Sequence, residues 1–207
     1  MTVNEDGVYK VTYQDLIDTG FPISSVNGRA LQLFYLGQEI PIHTTSSGTW
    51  SVGDYFLFYG KRNDGEIDKH LYKSWENEQL NPYFSMFSDD SAYYLSYDAS
   101  SNNKRYDIVN NDLSGTLPAK ENFYLHQEKQ VFSQTAWSPV APTEPDASFS
   151  NFIVTEGFGT PLRTLHNIPF NLSKIINGGN ARLKMRTGSN SQSNHIAEIS
   201  INGRVLD

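Results

Sequence analysis

The feature that most constrains this chain is a train of short strand-like runs, each bounded by glycine, asparagine, serine or proline. VYKVT at residues 8–12, ALQLFYL at 30–36, EIPIH at 39–43, DYFLFYG at 54–60, SAYYLSY at 91–97 and NFYLHQ at 122–127 all follow this plan. Their β-branched and aromatic side chains suit a half-buried pleated surface. Turn residues at this spacing point to a sandwich or a barrel. Pro41 cannot donate to a ladder, which places EIPIH at a sheet edge. One helix interrupts the pattern. Thr12 with Asp15 resembles a capping box in which Asp replaces the usual Glu, Gly20 stands at a C′ position, and Pro22 lies just beyond. That spacing predicts a helix over 13–19.

With aromatic residues at 13% of the chain, the sequence is too aromatic for a disordered segment, although its mean hydropathy is only -0.50. The expected fold class is all-β: two sandwich- or barrel-like parts with one short helix near the N-terminus. A length of 207 residues accommodates both parts. The run SPVAPTEPDASFS at 138–150 carries three prolines and few large apolar side chains, so the chain is expected to divide near residue 145. The expected boundaries are an N-terminal β domain over 1–140, a Pro-rich linker or loop over 141–150, and the start of a second β-sandwich over 151–207. In that last part RTLHNIPFNL, NARLKMRTGS and NHIAEISINGRVL read as strands, as in an incomplete jelly roll. Asn202-Gly203 is a strong signal for a type I′ hairpin. Only four residues follow, Arg204 to Asp207, so the chain reads as a piece cut from a longer polypeptide.

Composition excludes several function classes. The net charge is -7, and the nearest thing to a basic footprint is the isolated pair Lys104-Arg105, so nucleic acid is not an expected partner. Cysteine is absent, which removes disulfides, Cys-ligated zinc and any thiol nucleophile. No apolar run approaches the roughly 20 residues that span a bilayer. Residues 1–7 have neither a basic nor an apolar signal region. The protein is therefore expected either to stay in the cytoplasm or to have lost an export signal ahead of Met1.

The acidic stretch GDYFLFYGKRNDGEIDKHLY at 53–72, with Asp54, Asp64, Glu66 and Asp68, is the first candidate site. An EF-hand loop alternates its ligands before the glycine. Here Asn63 and Asp64 are adjacent and Gly65 follows at once, so that spacing fails. Asp64-Gly65 fits a tight reversal instead. A loose calcium site on Asp64, Glu66 and Asp68 is the competing reading. The histidines, His43, His70, His126, His166 and His195, show no i, i+4 pair. No nucleophile elbow, dinucleotide fingerprint or phosphate loop occurs. No catalytic, cofactor-binding or metal-ligating residue is assigned, and no cofactor is expected. A pair of carboxylates far apart in sequence, as in glycosidases, stays open. Tyr93, Tyr94 and Tyr97 with Trp50, Trp75 and Trp137 could form a sugar-stacking platform, although a partly buried strand shows the same pattern. The sequon Asn171-Leu172-Ser173 is given no role.

The order of DGVYKVTYQDL, the helix ending in GFPI, VNGRALQLFYLGQEIPIH, the acidic stretch and NPYFSMFSDDSAYYLSY resembles the N-terminal, non-catalytic region of gingipain-like cysteine peptidases. Within that family it is most similar to the surface sortase of the type IX secretion system. The likeness covers residues 6–97. ARLKMRTGSNSQSNHIAEISINGRVL at 181–206 resembles the start of the sandwich that follows there. The resemblance implies a catalytic His–Cys pair in a later domain; none of the histidines here lies in a matching segment. It further implies a scaffold- or prodomain-like accessory module of an exported, multidomain protein, in the periplasm or at the outer-membrane surface of a Gram-negative bacterium. Expected partners are the downstream peptidase-like domains, with surface glycan or secretion components besides. The alternative is a carbohydrate-binding or adhesion module, and the least supported reading is a hydrolase using carboxylates.

Overall fold

The structure, a computed structural model, describes residues 1–100, 102–138, 152, 154–170, 175–176, 178–189 and 196–206. The protein is all-β, with antiparallel ladders and two short helices among the described residues. Its contacts form two compact units. One is Met1–Asp64 with Phe87–Asn122; the other is Gly65–Met86 with Phe123–Asp207. This division differs from a cut near residue 145, because the second unit takes Gly65–Met86 out of the middle of the first. The reason is that this segment carries its own aromatic anchors. Tyr72 meets Phe152 and Phe84 meets Phe158, with ring centroids 5.2 and 6.4 Å apart. The stretch 141–150 lies outside the described residues.

The first unit contains β1 (Thr2–Val3), β2 (Gly7–Thr12), β3 (Leu31–Tyr35), β4 (Gln38–Ile40), β5 (His43–Thr44), β6 (Tyr55–Gly60) and β7 (Ser91–Tyr97). They form one sheet of order β1-β7-β3-β4 and another of order β2-β6-β5. Alternation decides which side chains turn inward. Phe56 and Phe58 of β6, Leu31 and Leu33 of β3, and Tyr93 of β7 are all buried in one core. The rings of Phe58 and Tyr93 lie 5.2 Å apart, and Tyr93 stacks on Tyr35 at 4.6 Å. The Tyr93 hydroxyl accepts from the Lys61 amide at 2.8 Å and donates to the Lys61 carbonyl at 3.2 Å. Burial raises the pKa of this phenol, partly offset by the Lys61 bond. Gly28 is tightly enclosed: a Cβ there would sit 1.9 Å from the Ser46 carbonyl and 2.3 Å from Trp50 Nε1.

Helix α1 (Tyr13–Asp18) follows the cap chemistry. The Asp15 amide donates to Thr12 Oγ1 at 3.2 Å, and the Thr12 amide donates to Asp15 Oδ2 at 2.8 Å. The Thr12 hydroxyl also donates to Asp15 Oδ2 at 2.7 Å, and this bond first, with that of the Thr12 amide, holds the Asp15 carboxyl below the usual carboxylate range. Gly20, at φ +75°, lets the chain turn away after the helix. A clasp then ties residues 104–106 to the same unit. The Arg105 guanidinium donates to the carbonyls of Gly28, Arg29 and Leu31 at 2.8, 2.9 and 3.0 Å.

Other expectations are corrected. EIPIH is not one strand: β4 and β5 belong to different sheets, with the step at Pro41 and Ile42. Residues 122–127 form no strand, having no ladder partner. The second unit has little regular structure. Among its described residues are a 3-10 turn (Ile67–Leu71), α2 (Trp75–Glu78), the ladder β8 (Thr135–Trp137) with β9 (Gly157–Gly159), and the hairpin β10 (Ser200–Ile201) with β11 (Arg204–Val205). The described parts of 163–172 and 180–189 carry no strand. The hairpin is as expected: Asn202 and Gly203 have φ of +50° and +80°.

Candidate interaction surface

The acidic stretch does not gather its carboxylates. Gly65 takes φ +81°, and a Cβ there would come 2.9 Å from the Phe84 carbonyl, so the reversal at Asp64-Gly65 is real and requires glycine. It does not close a hairpin, because β6 ends at Gly60 and β7 begins at Ser91. Asp68, only 2% exposed, turns inward. It accepts from the Met86 amide at 2.7 Å and from Ser85 Oγ at 3.1 Å, pinning the returning chain. Glu66 pairs instead with Lys69, whose ammonium also lies 4.5 Å from the centre of the Trp75 ring. Asp54 accepts from the Ser51 amide and from Thr45 Oγ1, both at 2.9 Å. Those bonds, the Ser51 amide first, lower its pKa. Among the described residues no three His, Asp or Glu side chains stand together as metal ligands.

His43 lies in β5 and His70 in the 3-10 turn. The His126 ring stands edge-on to Tyr124 and the His166 ring edge-on to Phe132. His195 and the sequon Asn171-Leu172-Ser173 lie outside the described residues. The six aromatic residues do not make one platform. Trp50 and Tyr93 are core, and Trp50 Nε1 donates to the Ser46 carbonyl at 2.9 Å. Tyr94 is exposed, and Tyr97 stands edge-on to Phe21. Trp75 and Trp137 belong to the second unit, where Trp137 Nε1 donates to the Thr160 carbonyl at 2.9 Å.

Two features are instead open to solvent. The first is the edge strand β2. The Tyr13 amide donates to the Asp54 carbonyl at 2.8 Å, continuing the register that pairs Thr12 with Tyr55. By the two-residue alternation of an antiparallel ladder, Val11 and Tyr9 also direct their main chain toward β6, while Val8 and Lys10 direct theirs to the open edge. No described strand covers that edge. Lys10, held 4.2 Å from the centre of the Tyr55 ring, places a charge beside it, a common guard against indiscriminate pairing.

The second feature is the segment 108–117 of the first unit. Ile108 and Val109 are each 84% exposed, with Leu113 and Leu117 also outward. The sequence hint was an apolar residue recurring every few positions among Asn, Asp and Gly, a pattern that matches neither helix nor strand. The chain matches no protein-family model, no curated protein and no solved structure.

Proposed function

We propose that this chain is a non-catalytic accessory module, scaffold- or prodomain-like, of an exported gingipain-like peptidase or sortase, and that it docks through residues 108–117 of the first unit on a peptidase-like domain of the same polypeptide. The observation that carries this reading is the row of large apolar side chains facing water along that segment. Apolar surface left in water forgoes about 25 cal/mol per Å² of burial, and contiguous patches of it mark contact surfaces. The order of motifs over 6–97 supports the peptidase as the partner, and placement at the outer-membrane surface or in the periplasm follows from that parentage.

The test is to mix the chain with a gingipain-like catalytic domain and follow co-elution on a sizing column together with amide exchange. The wild-type chain is expected to co-elute, with slowed exchange over 108–117. The variant Ile108→Asp/Val109→Asp/Leu117→Asp is expected to fold normally and elute alone. If the wild-type chain elutes alone and its exchange over 108–117 is unchanged, the reading is wrong.

A further inference from the structure

Gly65–Met86 belongs to the second unit, although the chain on both sides of it belongs to the first. The polypeptide therefore passes between the units at 64–65, at 86–87 and again at 122–123. An open stretch leads to the last passage. Residues 115–121 lie in no helix or strand, all of them are exposed, and no main-chain hydrogen bond among the described residues engages them. Exposed chain of this kind is where peptidases nick folded proteins, because no structure has to open first. Pro118 fixes its own φ and biases Leu117 toward the extended backbone that a peptidase cleft receives.

Within this stretch Lys120 stands out. Its ammonium has no partner among the described residues. Basic groups nearby are engaged: Arg105 grips three carbonyls, the Lys104 ammonium donates to the Glu39 carbonyl at 3.0 Å, and that of Lys129 lies 4.0 Å from the centre of the Tyr83 ring. Lys61, Lys73 and Lys184 are exposed too, but they sit in tied chain. The main chain of Lys61 is bonded by the Tyr93 hydroxyl, and Lys73 is followed by Ser74, whose amide donates to Glu78 Oε2 at 2.9 Å. Beyond Lys184, Arg186 donates to the Gln79 carbonyl at 2.6 Å, and a Cβ on Gly188 would come 3.1 Å from Leu80 Cδ1 and Thr155 Cβ.

We propose that Lys120–Glu121 is a processing site: an endopeptidase that cleaves after lysine hydrolyses this bond, and the two pieces stay associated. Water adds across the amide, leaving a carboxylate on Lys120 and a free amino group on Glu121, and nothing else is consumed. The retention follows from Gly65–Met86. Cleavage leaves that segment on the piece 1–120 and its partners within the second unit on the piece 121–207. Across the new boundary the Phe152 amide donates to the Leu71 carbonyl at 2.8 Å and the Thr155 amide to the Glu78 carbonyl at 2.7 Å. The Tyr72 hydroxyl donates to the Glu156 carbonyl and Asn81 Nδ2 to the Phe132 carbonyl, and both side chains are buried, which shields these bonds from water. The site does not depend on the docking of residues 108–117.

The experiment digests the folded chain briefly with a lysine-specific endopeptidase, identifies the products by mass, and passes them over a sizing column with and without urea. The first cut is expected after Lys120. The pieces 1–120 and 121–207 are expected to co-elute without urea and to separate in it. Lys120→Gln, at an exposed position, is expected to abolish the 1–120 piece. A chain that resists digestion, or a first cut after any other lysine, overturns the proposal. So does separation of the two pieces without urea.

Discussion

The two units of this chain are held together by different means. In the first, ladders and a shared core do most of the holding. Gly7 to Thr12 pair residue for residue with Gly60 to Tyr55, and every inward position of β6 is aromatic or Gly60. In the second, strands are brief and single side chains reach across to the main chain. Asp68 holds the Met86 amide, the Tyr72 hydroxyl donates to the Glu156 carbonyl at 2.7 Å, and Asn81 Nδ2 donates to the Phe132 carbonyl at 2.8 Å. Burial, with the negative charges of Glu156 and Asp68, raises the Tyr72 phenol far above its ordinary range, so it stays a donor at any physiological pH. The lesson is that a sheet spreads its stability over many interchangeable contacts, whereas an irregular unit concentrates it in a few polar ones.

Substitutions can break this contrast, beginning where the effect is largest. Phe58→Ala, at a site only 1% exposed, is expected to cost about 3–5 kcal/mol in urea denaturation. A loss below 1 kcal/mol would mean the aromatic core is not what organises the first unit. Asp68→Ala removes the carboxylate that accepts from the part-buried Met86 amide and from Ser85 Oγ, and is expected to cost about 1–3 kcal/mol. Its signature is faster hydrogen exchange at Met86; an unchanged rate there denies the carboxylate its organising role. The smallest effect sharpens the contrast through pH. The folded-state constant of Asp54 lies below its ordinary value of 3.8, so its carboxylate adds stability that is complete above that value and lost as pH falls through the lowered one. Wild type is therefore expected to exceed Asp54→Asn in urea midpoint at neutral pH and to converge with it as pH falls below the lowered pKa. A gap that persists in acid excludes the ionised form as its source.

Legibility followed the same divide. The capping chemistry of Thr12 and Asp15 and the φ > 0 tolerance of Gly20 placed α1 within a residue, because both signals act over a single turn. SAYYLSY became β7 over its whole length, and Asn202-Gly203 closed its hairpin, again through local rules. NFYLHQ has equal strand propensity and forms none, since a strand exists only where another edge accepts it. The four-residue helix α2 carries no periodic pattern to read. The all-β class was legible, but the joining of Gly65–Met86 to a segment beyond residue 122 was not: it depends on Tyr72 meeting Phe152, a pairing no local window contains. The exposed apolar segment was missed for a related reason. Outward apolar residues resemble buried ones until a structure shows which of them lack a cover.

The Arg105 clasp has a mechanical consequence. Three carbonyls of residues 28–31 grip one guanidinium just ahead of the segment proposed to dock, so tension drawn along that segment arrives first at a rivet set in the first unit. Those three bonds stand between a pull on that segment and the ladders behind them.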